Sequence, residues 1–200
     1  MYSMNERTAS LHRQTSETDI QLTLNLDGTG QSQINTGIGF FDHMLNAFSK
    51  HSLFDIDLHV KGDLHVDGHH SVEDTGIVLG QAFHKAIANK QGITRFGQAT
   101  IPLDETLCEV VVDISGRAYL HWNIAFPVAR VGSMDTQLFE EFFRGFVMSA
   151  QLNLHAIMHS GRNAHHIAEA TFKAAARALR IASALDTRRL HHIPSTKGVL

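Results

Sequence analysis

Two short motifs in this chain carry side chains that bind metals. The segment His69–Glu73 reads His-His-Ser-Val-Glu, and the segment His165–Glu169 reads His-His-Ile-Ala-Glu. Neutral imidazole and carboxylate are ligands for divalent transition metals. On a helix, residues four apart share a face, whereas adjacent side chains point about 100° apart. We therefore expect the first histidine and the glutamate of each motif to bind one metal ion, so that two facing motifs form a pair of metal sites.

The spacing favours His69 with Glu73 in the first motif, and either His165 or His166 with Glu169 in the second. The competing interpretation is that each motif is a solvated helix start whose glutamate interacts with the helix dipole. Two motifs placed equivalently in the two halves of one chain favour metal binding. The doublet His191-His192 has no glutamate at this spacing, and we interpret it as structural or surface.

The composition is that of a globular protein with an excess of histidine. The 200 residues are 43% hydrophobic and 18% charged, and 15 of them are histidine. A net charge of −3 and a pI near 6.6 provide no overall field that would attract nucleic acid or a membrane. The single cysteine excludes an internal disulfide framework and suits a reducing cytoplasm. The first residues do not resemble a signal peptide, and no apolar run approaches membrane-spanning length. We expect a cytoplasmic protein.

Hydrophobic periodicity predicts a mixture of strands and helices. The predicted strands are Ile20–Leu26, Phe54–Val60, Ala99–Leu103, Cys108–Ile114, Ala118–Phe126 and Leu152–Ala156. The predicted helices are Phe40–His51, Ser71–Asn89, a segment capped by Asp135 that runs to Ala150, and His165–Ala184.

The order of the elements is the same in both halves, and no linker rich in Pro, Gly or Ser separates them. We therefore predict an α+β fold of two fused repeats, residues 1–92 and residues 93–200 with an irregular C-terminal tail, that pack as a single unit. Each repeat is expected to be a small sheet covered on one face by two helices. The duplication places His43 and Glu141 at equivalent positions on equivalent helices, with Glu140 as the alternative to Glu141.

The candidate metal ligands offer nitrogen and oxygen atoms and no thiolate. Such a set favours a borderline-to-hard ion that accepts six ligands, such as Mn(II), over a closed structural zinc site. Open coordination positions would then remain for a substrate. Arg95, Arg117 and the run Ser195–Lys197 offer positive charge and hydroxyl donors to a phosphate. The metal candidates are His43, His69, His70, Glu73, Glu141, His165, His166 and Glu169.

The chain resembles the imidazoleglycerol-phosphate dehydratase family of histidine biosynthesis. Four segments carry the resemblance, in the order FFDHMLNAFSKHS, DLHVDGHHSVEDTGIVLGQAF, GRNAHHIAEATFKAAARAL and IPSTKGVL. The resemblance covers the chain from about Arg13 onward. It implies a hydro-lyase that converts D-erythro-imidazole-glycerol phosphate to imidazole-acetol phosphate, with two Mn(II) ions per active site. It also implies four strands per repeat and a homo-oligomer of twenty-four subunits with sites where subunits meet.

The family's functional positions map onto residues of this chain. At the Glu141 position some relatives carry His, and where several carry Gln four residues after the DHM histidine this chain has Ala47. The resemblance implies catalytic roles for Glu17, His43, Glu73 and Glu169. It implies substrate or phosphate contacts for Glu17, His69, His70, Glu73, Arg95, Arg117, Lys173, Ser195, Thr196 and Lys197.

The chemistry of the expected substrate agrees with this assignment. Binding of an imidazole ring between two cations is expected to favour loss of its N–H, much as a metal lowers the pKa of water. The resulting imidazolate can expel the adjacent hydroxyl, and Glu17 is the candidate acid/base that moves the proton.

Two alternatives remain open on the sequence. A dinuclear metallohydrolase also uses paired metals to activate water. A non-enzymatic, His-rich metal-binding protein would need no phosphate-binding residues, and its ligands would lie in flexible tracts.

Overall fold

The computed structural model of the chain describes residues 7–200. Residues 1–6, which belong to the predicted first repeat, lie outside the described residues. The elements of the first half are β1 (Thr8–Gln14), β2 (Thr18–Asn25), β3 (Ser32–Asn35), α1 (Gly39–Ser52), β4 (Asp55–Gly62) and α2 (His69–Ile87). Those of the second half are β5 (Phe96–Leu103), β6 (Thr106–Asp113), β7 (Tyr119–Asn123), β8 (Arg130–Val131), β9 (Met134–Asp135), α3 (Leu138–Ala150), β10 (Asn153–Ser160) and α4 (Ala164–Ser183).

The two halves build sheets of the same topology. The first sheet has the strand order β1-β2-β4-β3 and the second has the order β5-β6-β10-β7. In each sheet the first three strands pair antiparallel, and the short last strand pairs parallel with its neighbour. This identity of order and direction confirms the predicted α+β fold of two repeats. The β8–β9 hairpin is an insertion between β7 and α3.

The helices lie between the two sheets. Strand residues alternate between buried and solvent-facing, as Ile20, Leu22 and Leu24 do with Gln21 and Thr23. Helix α2 packs on the first sheet and α4 on the second, while α1 contacts α4 and α2 contacts α3. Each helix is therefore shared between its own sheet and the other repeat, and the single-unit packing predicted from the sequence is confirmed.

Aromatic rings join the helices of the two repeats. Phe41 of α1 lies 5.4 Å from Phe142 of α3, and Phe142 stacks at 5.3 Å on Phe172 of α4. All three side chains are buried. Offset and edge-to-face ring pairs add about 0.5–1.5 kcal/mol each to the gain from burial. The rings thus fix the relative positions of α1, α3 and α4.

Helices α2 and α3 approach so closely that glycine is required at their crossing. A Cβ atom at Gly76 would collide with the carbonyl oxygen of Phe142, and one at Gly145 would lie 2.8 Å from the carbonyl oxygen of Glu73. Real side chains do not tolerate such distances. The crossing therefore fixes the backbone at Glu73, inside the first motif.

Two strands of the first sheet, β1 and β3, were not predicted from the sequence, and neither were the two-residue strands β8 and β9. Strand β1 has few apolar residues, of which Ala9 is buried and Leu11 half-buried, and β3 is only four residues long. Both lie at an edge of the first sheet and obtain their hydrogen bonds from β2 and β4. Their pairing is a tertiary property, so alternation within the segment could not indicate it.

The prediction that Asp135 caps a helix was wrong. Asp135 lies in β9, where its carboxylate accepts a 2.5 Å hydrogen bond from Arg130 of β8. Helix α3 begins at Leu138, after Gln137, and has no side-chain cap. The predicted strand Ala118–Phe126 also ends early, at Asn123, because its partner β10 pairs with it only as far as Ile157.

The predicted helix Ser71–Asn89 is displaced toward the N-terminus. It begins at His69, so both histidines of the first motif lie in its first turn, and it ends at Ile87. None of the helices within residues 7–200 has the length and apolar character needed to cross a bilayer.

We predict that Gly76→Ala lowers the free energy of unfolding by about 1–3 kcal/mol, because the added methyl group must displace the backbone of α3. Urea unfolding followed by circular dichroism measures this change. The matched control is Gly39→Ala in the first turn of α1, where an added Cβ meets nothing within 4 Å. The control should leave stability unchanged or raise it by up to about 1 kcal/mol. Equal midpoints for Gly76→Ala and the unmodified protein would contradict the close packing.

Candidate active site

Both His-His-x-x-Glu motifs begin in the first turn of a helix. At the start of α2, the side chain of Asp67 accepts a 2.8 Å hydrogen bond from the backbone N–H of His69. At the start of α4, the side chain of Asn163 accepts from the backbone N–H groups of His165 and His166, at 3.0 and 3.4 Å. These hydrogen bonds satisfy N–H groups that have no partner inside the helix. They hold the histidine doublets at the exposed ends of α2 and α4.

Three side chains from two repeats converge on one point. Nε2 of His165 lies 3.0 Å from Oε2 of Glu169, and Nε2 of His43 lies 3.6 Å from the same oxygen. One donor atom from each of the three residues lies within 4.8 Å of the other two. The ring of Phe40 packs edge-on against His165 at 5.1 Å. The group fits a metal that accepts two imidazole nitrogens and a carboxylate oxygen.

Glu169 is held in its charged form by a neighbouring cation. Burial alone would raise the pKa of this carboxyl group, but Lys173 donates a hydrogen bond to Oε1 at 2.7 Å. The hydrogen bond and charge of Lys173, with further help from His165 and His43, keep the pKa of Glu169 below its ordinary value. Lys173 binds one oxygen of the carboxylate, and the other faces the histidines.

The sequence left open which histidine of the second motif pairs with Glu169, and the structure shows which of them faces it. His165 faces Glu169, while His166 turns away toward Glu105, at 2.9 Å. In the first motif, Nε2 of His69 lies 3.6 Å from Oε2 of Glu73.

Glu141 does not join a compact group of donors in this chain. Its carboxylate lies 3.4 Å from Arg144, which also pairs with Glu140 at 2.6 Å. Among residues 7–200, His43, His165 and Glu169 are the one set of three or more possible ligands whose donor atoms meet. Within the described part of one chain, therefore, neither Glu141 nor the pair His69–Glu73 belongs to a second group of three possible ligands.

The second histidine of each doublet faces acidic residues, of which Asp63, Asp104 and Glu105 were not predicted from the sequence. Nδ1 of His70 lies 3.0 Å from Oδ2 of Asp63, and its Nε2 lies 3.7 Å from Glu17. Nδ1 of His166 lies 2.9 Å from Glu105, and its Nε2 lies 4.0 Å from Asp104. These contacts could not be read from spacing, although Asp104-Glu105 is an unusually acidic turn between two strands.

These ion pairs shift the pKa values of the groups involved. The hydrogen bond to Asp63 raises the pKa of His70. The hydrogen bond from His166, followed by the backbone N–H groups of Asn163 and Arg162, holds the pKa of Glu105 well below its usual range. Glu105 is therefore a carboxylate at neutral pH.

Glu17 lies in the turn between β1 and β2, and a buried network ties this turn to α2. Asp74 of α2 accepts a 2.5 Å hydrogen bond from Thr18 and pairs with Arg13 at 2.6 Å. Asp74 is 7% exposed, and a buried carboxylate is stable only when it is paired in this way. Because Arg13 and Thr18 flank the turn, the network positions Glu17 opposite His70.

The candidate phosphate-binding residues lie at separate places in the structure of one chain. Arg95, Ser195 and Thr196 line a groove at the start of the tail, together with Arg189 and His192. Arg95 pairs with Asp113 at 2.7 Å and donates to the carbonyl of Pro194 at 2.8 Å, which holds the tail in place. Arg117 is exposed in the loop between β6 and β7, Lys197 is exposed in the tail, and Lys173 lies beside Glu169.

Comparison with known proteins shows similarity over almost the whole chain. Residues 36–179, which include both motifs, match the family described as "Imidazoleglycerol-phosphate dehydratase". The protein of that name from Gluconobacter oxydans is 65% identical over 198 residues, which cover 98% of this chain and 100% of the relative. The one from Acidiphilium cryptum is 56% identical over 194 residues, which cover 97% and 99%.

Solved structures with the same description share the fold. The imidazoleglycerol-phosphate dehydratase of Staphylococcus aureus aligns with a TM-score of 0.82 at 42% identity, and covers 90% of this chain and 99% of its own. The structure described as IGPD from Pyrococcus furiosus aligns with a TM-score of 0.79 at 36% identity, and covers 95% and 100%.

Asp186 makes hydrogen bonds at the start of the C-terminal tail, the segment that contributes Ser195 and Thr196 to the groove beside Arg95. Its carboxylate accepts hydrogen bonds at 3.0 Å from the backbone and the side chain of Arg188, and another at 3.0 Å from Arg189. The hydrogen bond from the Arg188 side chain is the main reason that the pKa of Asp186 lies well below its usual range. A carboxylate with a lowered folded pKa stabilises the fold above its unfolded pKa of about 3.9, and this stabilisation is lost as the pH falls through the folded value.

We predict that Asp186→Asn lowers the thermal unfolding midpoint at pH 7, and that the difference from the unmodified protein narrows as the pH falls below about 4. Differential scanning fluorimetry at several pH values measures both midpoints. Asp57→Asn, on the solvent-facing side of the first sheet, is the control with the same chemical change. A difference that stays constant from pH 7 to pH 3 would show that charge is not the cause.

Proposed function

The chain belongs to the imidazoleglycerol-phosphate dehydratase family and is a hydro-lyase of histidine biosynthesis, and from this premise we propose that it uses two Mn²⁺ ions per active site. The proposed reaction converts D-erythro-imidazole-glycerol phosphate to imidazole-acetol phosphate and water. The family match and the similar relatives confirm the family resemblance that was inferred from four sequence segments.

The observation that carries the metal proposal is the convergence of His43, His165 and Glu169. Two neutral nitrogens and one carboxylate oxygen, with no thiolate, are the donor set expected for a borderline-to-hard ion such as Mn²⁺. The Lys173 contact leaves one Glu169 oxygen for the metal. When bound, the ions would act as Lewis acids toward the substrate's oxygen and ring nitrogen atoms.

The remaining candidates support a second site built between chains. His69 and Glu73 form a pair, and His70, His166 and Glu141 each face other partners within residues 7–200. Two ligands do not complete an octahedral ion. We therefore propose that the sites are completed between copies of this chain, in the family's assembly of twenty-four subunits, and that Nε2 of His70 and of His166 are among the ligands supplied in this way.

The anion-binding residues would hold the substrate by its phosphate. Arg95, Ser195 and Thr196 line one groove, and arginine offers a planar fork of donors to phosphate oxygens. Arg117, Lys173 and Lys197 lie outside that groove. In the proposed assembly, Arg117 and Lys197 would complete the phosphate site from a neighbouring chain. Fixing the phosphate sets the position of the imidazole ring relative to the metal ligands.

Glu17 is the proposed acid/base. Its side chain is half-exposed, and it lies on a turn that the Asp74 network fixes opposite His70. A carboxylate in that position can take a proton from the substrate carbon and return a proton to the leaving hydroxyl group.

The direct test is to incubate the purified protein with Mn²⁺ and D-erythro-imidazole-glycerol phosphate, and to measure formation of the keto product. We expect product from the unmodified protein and at least a tenfold loss of kcat/KM in Arg117→Ala, since a charge-assisted hydrogen bond to phosphate contributes roughly 1.5–3 kcal/mol. His191→Ala, an exposed residue in the tail, is the control and should be unaffected. Release of inorganic phosphate instead of the keto product would favour a metallohydrolase.

A second variant separates metal binding from proton transfer. We expect Glu17→Gln to retain its Mn²⁺ content and to lower kcat by about 10²–10⁴-fold, because the amide cannot exchange a proton. Elemental analysis and steady-state kinetics on the same preparation provide the two readouts. Turnover close to that of the unmodified enzyme would remove Glu17 from the mechanism.

A further inference from the structure

A carboxylate lies against the same ring atom of the second histidine in both doublets. In the first repeat, Nδ1 of His70 lies 3.0 and 3.2 Å from the two oxygens of Asp63. In the second repeat, Nδ1 of His166 lies 2.9 Å from Oε2 of Glu105. Of these four side chains, none is more than about a third exposed. The same contact is thus made twice within one molecule.

The two carboxylates come from different places in the repeat. Asp63 follows β4, in the loop that leads to α2, whereas Glu105 lies in the hairpin turn between β5 and β6. Duplication of an ancestral residue therefore does not account for the shared contact. Carboxylates at two non-equivalent positions contact the same nitrogen of equivalent rings. This recurrence indicates a functional role for the contact.

Glu105 is fixed so that only one of its oxygens can face the ring. Oε1 accepts hydrogen bonds from the backbone N–H groups of Arg162 and Asn163, at 3.1 and 2.8 Å. The backbone carbonyl of Glu105 also accepts from the hydroxyl of Ser160 at 3.1 Å. Oε2 is left to His166. The hairpin turn, the residues preceding α4 and the histidine ring are thereby joined through one side chain.

A carboxylate facing Nδ1 determines which nitrogen of a neutral imidazole carries the proton. Nδ1 becomes the N–H donor to the carboxylate, so the lone pair resides on Nε2 and is free to bind a metal. The contact also fixes the plane of the ring and makes the ligand nitrogen more basic. Loss of such a partner typically weakens metal binding about 10–100-fold.

We propose that Asp63 and Glu105 are positioning residues, one in each repeat, that set the orientation and tautomer of His70 and His166 so that Nε2 of each ring is presented as a metal ligand. This inference rests on the proposed function, in which both histidines bind Mn²⁺.

The decisive variant is Glu105→Gln. The backbone N–H groups of Arg162 and Asn163 require an oxygen at the Oε1 position, so the amide group must place its NH₂ toward His166. The NH₂ can only donate, which forces Nδ1 to accept and moves the ring proton to Nε2. The substitution therefore keeps the structural anchor and reverses the contact with the ring. Glu105→Ala removes both.

Mn²⁺ binding to the metal-free full-length protein is measured by the electron paramagnetic resonance signal of the free ion. We expect one class of sites to be weakened about 10–100-fold in Glu105→Gln, and at least as much as in Glu105→Ala. Glu109→Gln in β6 is the matched control, since its carboxylate also faces a histidine, Nε2 of His159 at 2.8 Å, and neither residue is a candidate ligand; it should bind Mn²⁺ as the unmodified protein does. A purely structural role predicts the opposite split, with Glu105→Ala impaired and Glu105→Gln normal, and that result would overturn the proposal.

Neutron diffraction from metal-free crystals provides a readout that does not depend on metal binding. The hydrogen of the His166 ring should lie on Nδ1 in the unmodified protein and on Nε2 in Glu105→Gln. If the unmodified protein takes up no Mn²⁺, the proposed cofactor is wrong, but the position of this hydrogen still decides the role of Glu105. The same tautomer in both proteins would refute it.

Discussion

The packing of α1 from one repeat against α4 from the other is the constraint on which the candidate site depends. Helix α1 supplies His43, and α4 supplies both His165 and Glu169. Neither repeat contains the three-ligand group by itself. The buried rings of Phe41, Phe142 and Phe172 fix the relative positions of α1, α3 and α4. The ring of Phe40, also in α1, packs against the ring of His165 in α4. Folding of the whole chain is therefore a precondition for assembling the group.

A second constraint connects the helix starts to the hairpin turns of the sheets. In the first repeat the connection is the buried carboxylate of Asp74, which ties Arg13 and Thr18 to α2. In the second repeat it is Glu105, which ties the β5–β6 turn to the residues that begin α4. In both connections the carboxylate accepts hydrogen bonds from its neighbours, and such pairing offsets the cost of removing a carboxylate from water. The candidate metal ligands and the acidic turn residues are consequently held in fixed positions relative to each other.

Much of the fold followed from periodicity, and the exceptions share a physical cause. Long, strongly patterned elements such as α1, α4, β2 and β4 were predicted to within a few residues, since the spacing of their apolar residues indicates both the element type and its buried face. Strands β1 and β3 were missed because edge strands depend on their neighbours for hydrogen bonds. Asp135 was assigned as a helix cap because cap residues and turn residues are the same types, and its partner Arg130 became apparent only in the hairpin.

The sequence by itself determined which side chains could act as ligands, their spacing on two helices, the duplication and the family. Spacing of four residues is a local property of a helix, so the pairs His69–Glu73 and His165–Glu169 could be read directly. Only the tertiary structure decided that His43 joins the second motif, that His166 turns toward Glu105, and that Glu17 and Asp63 face His70. Those contacts join residues far apart in the chain, and their positions are set by sheet pairing and helix packing, which no local pattern encodes.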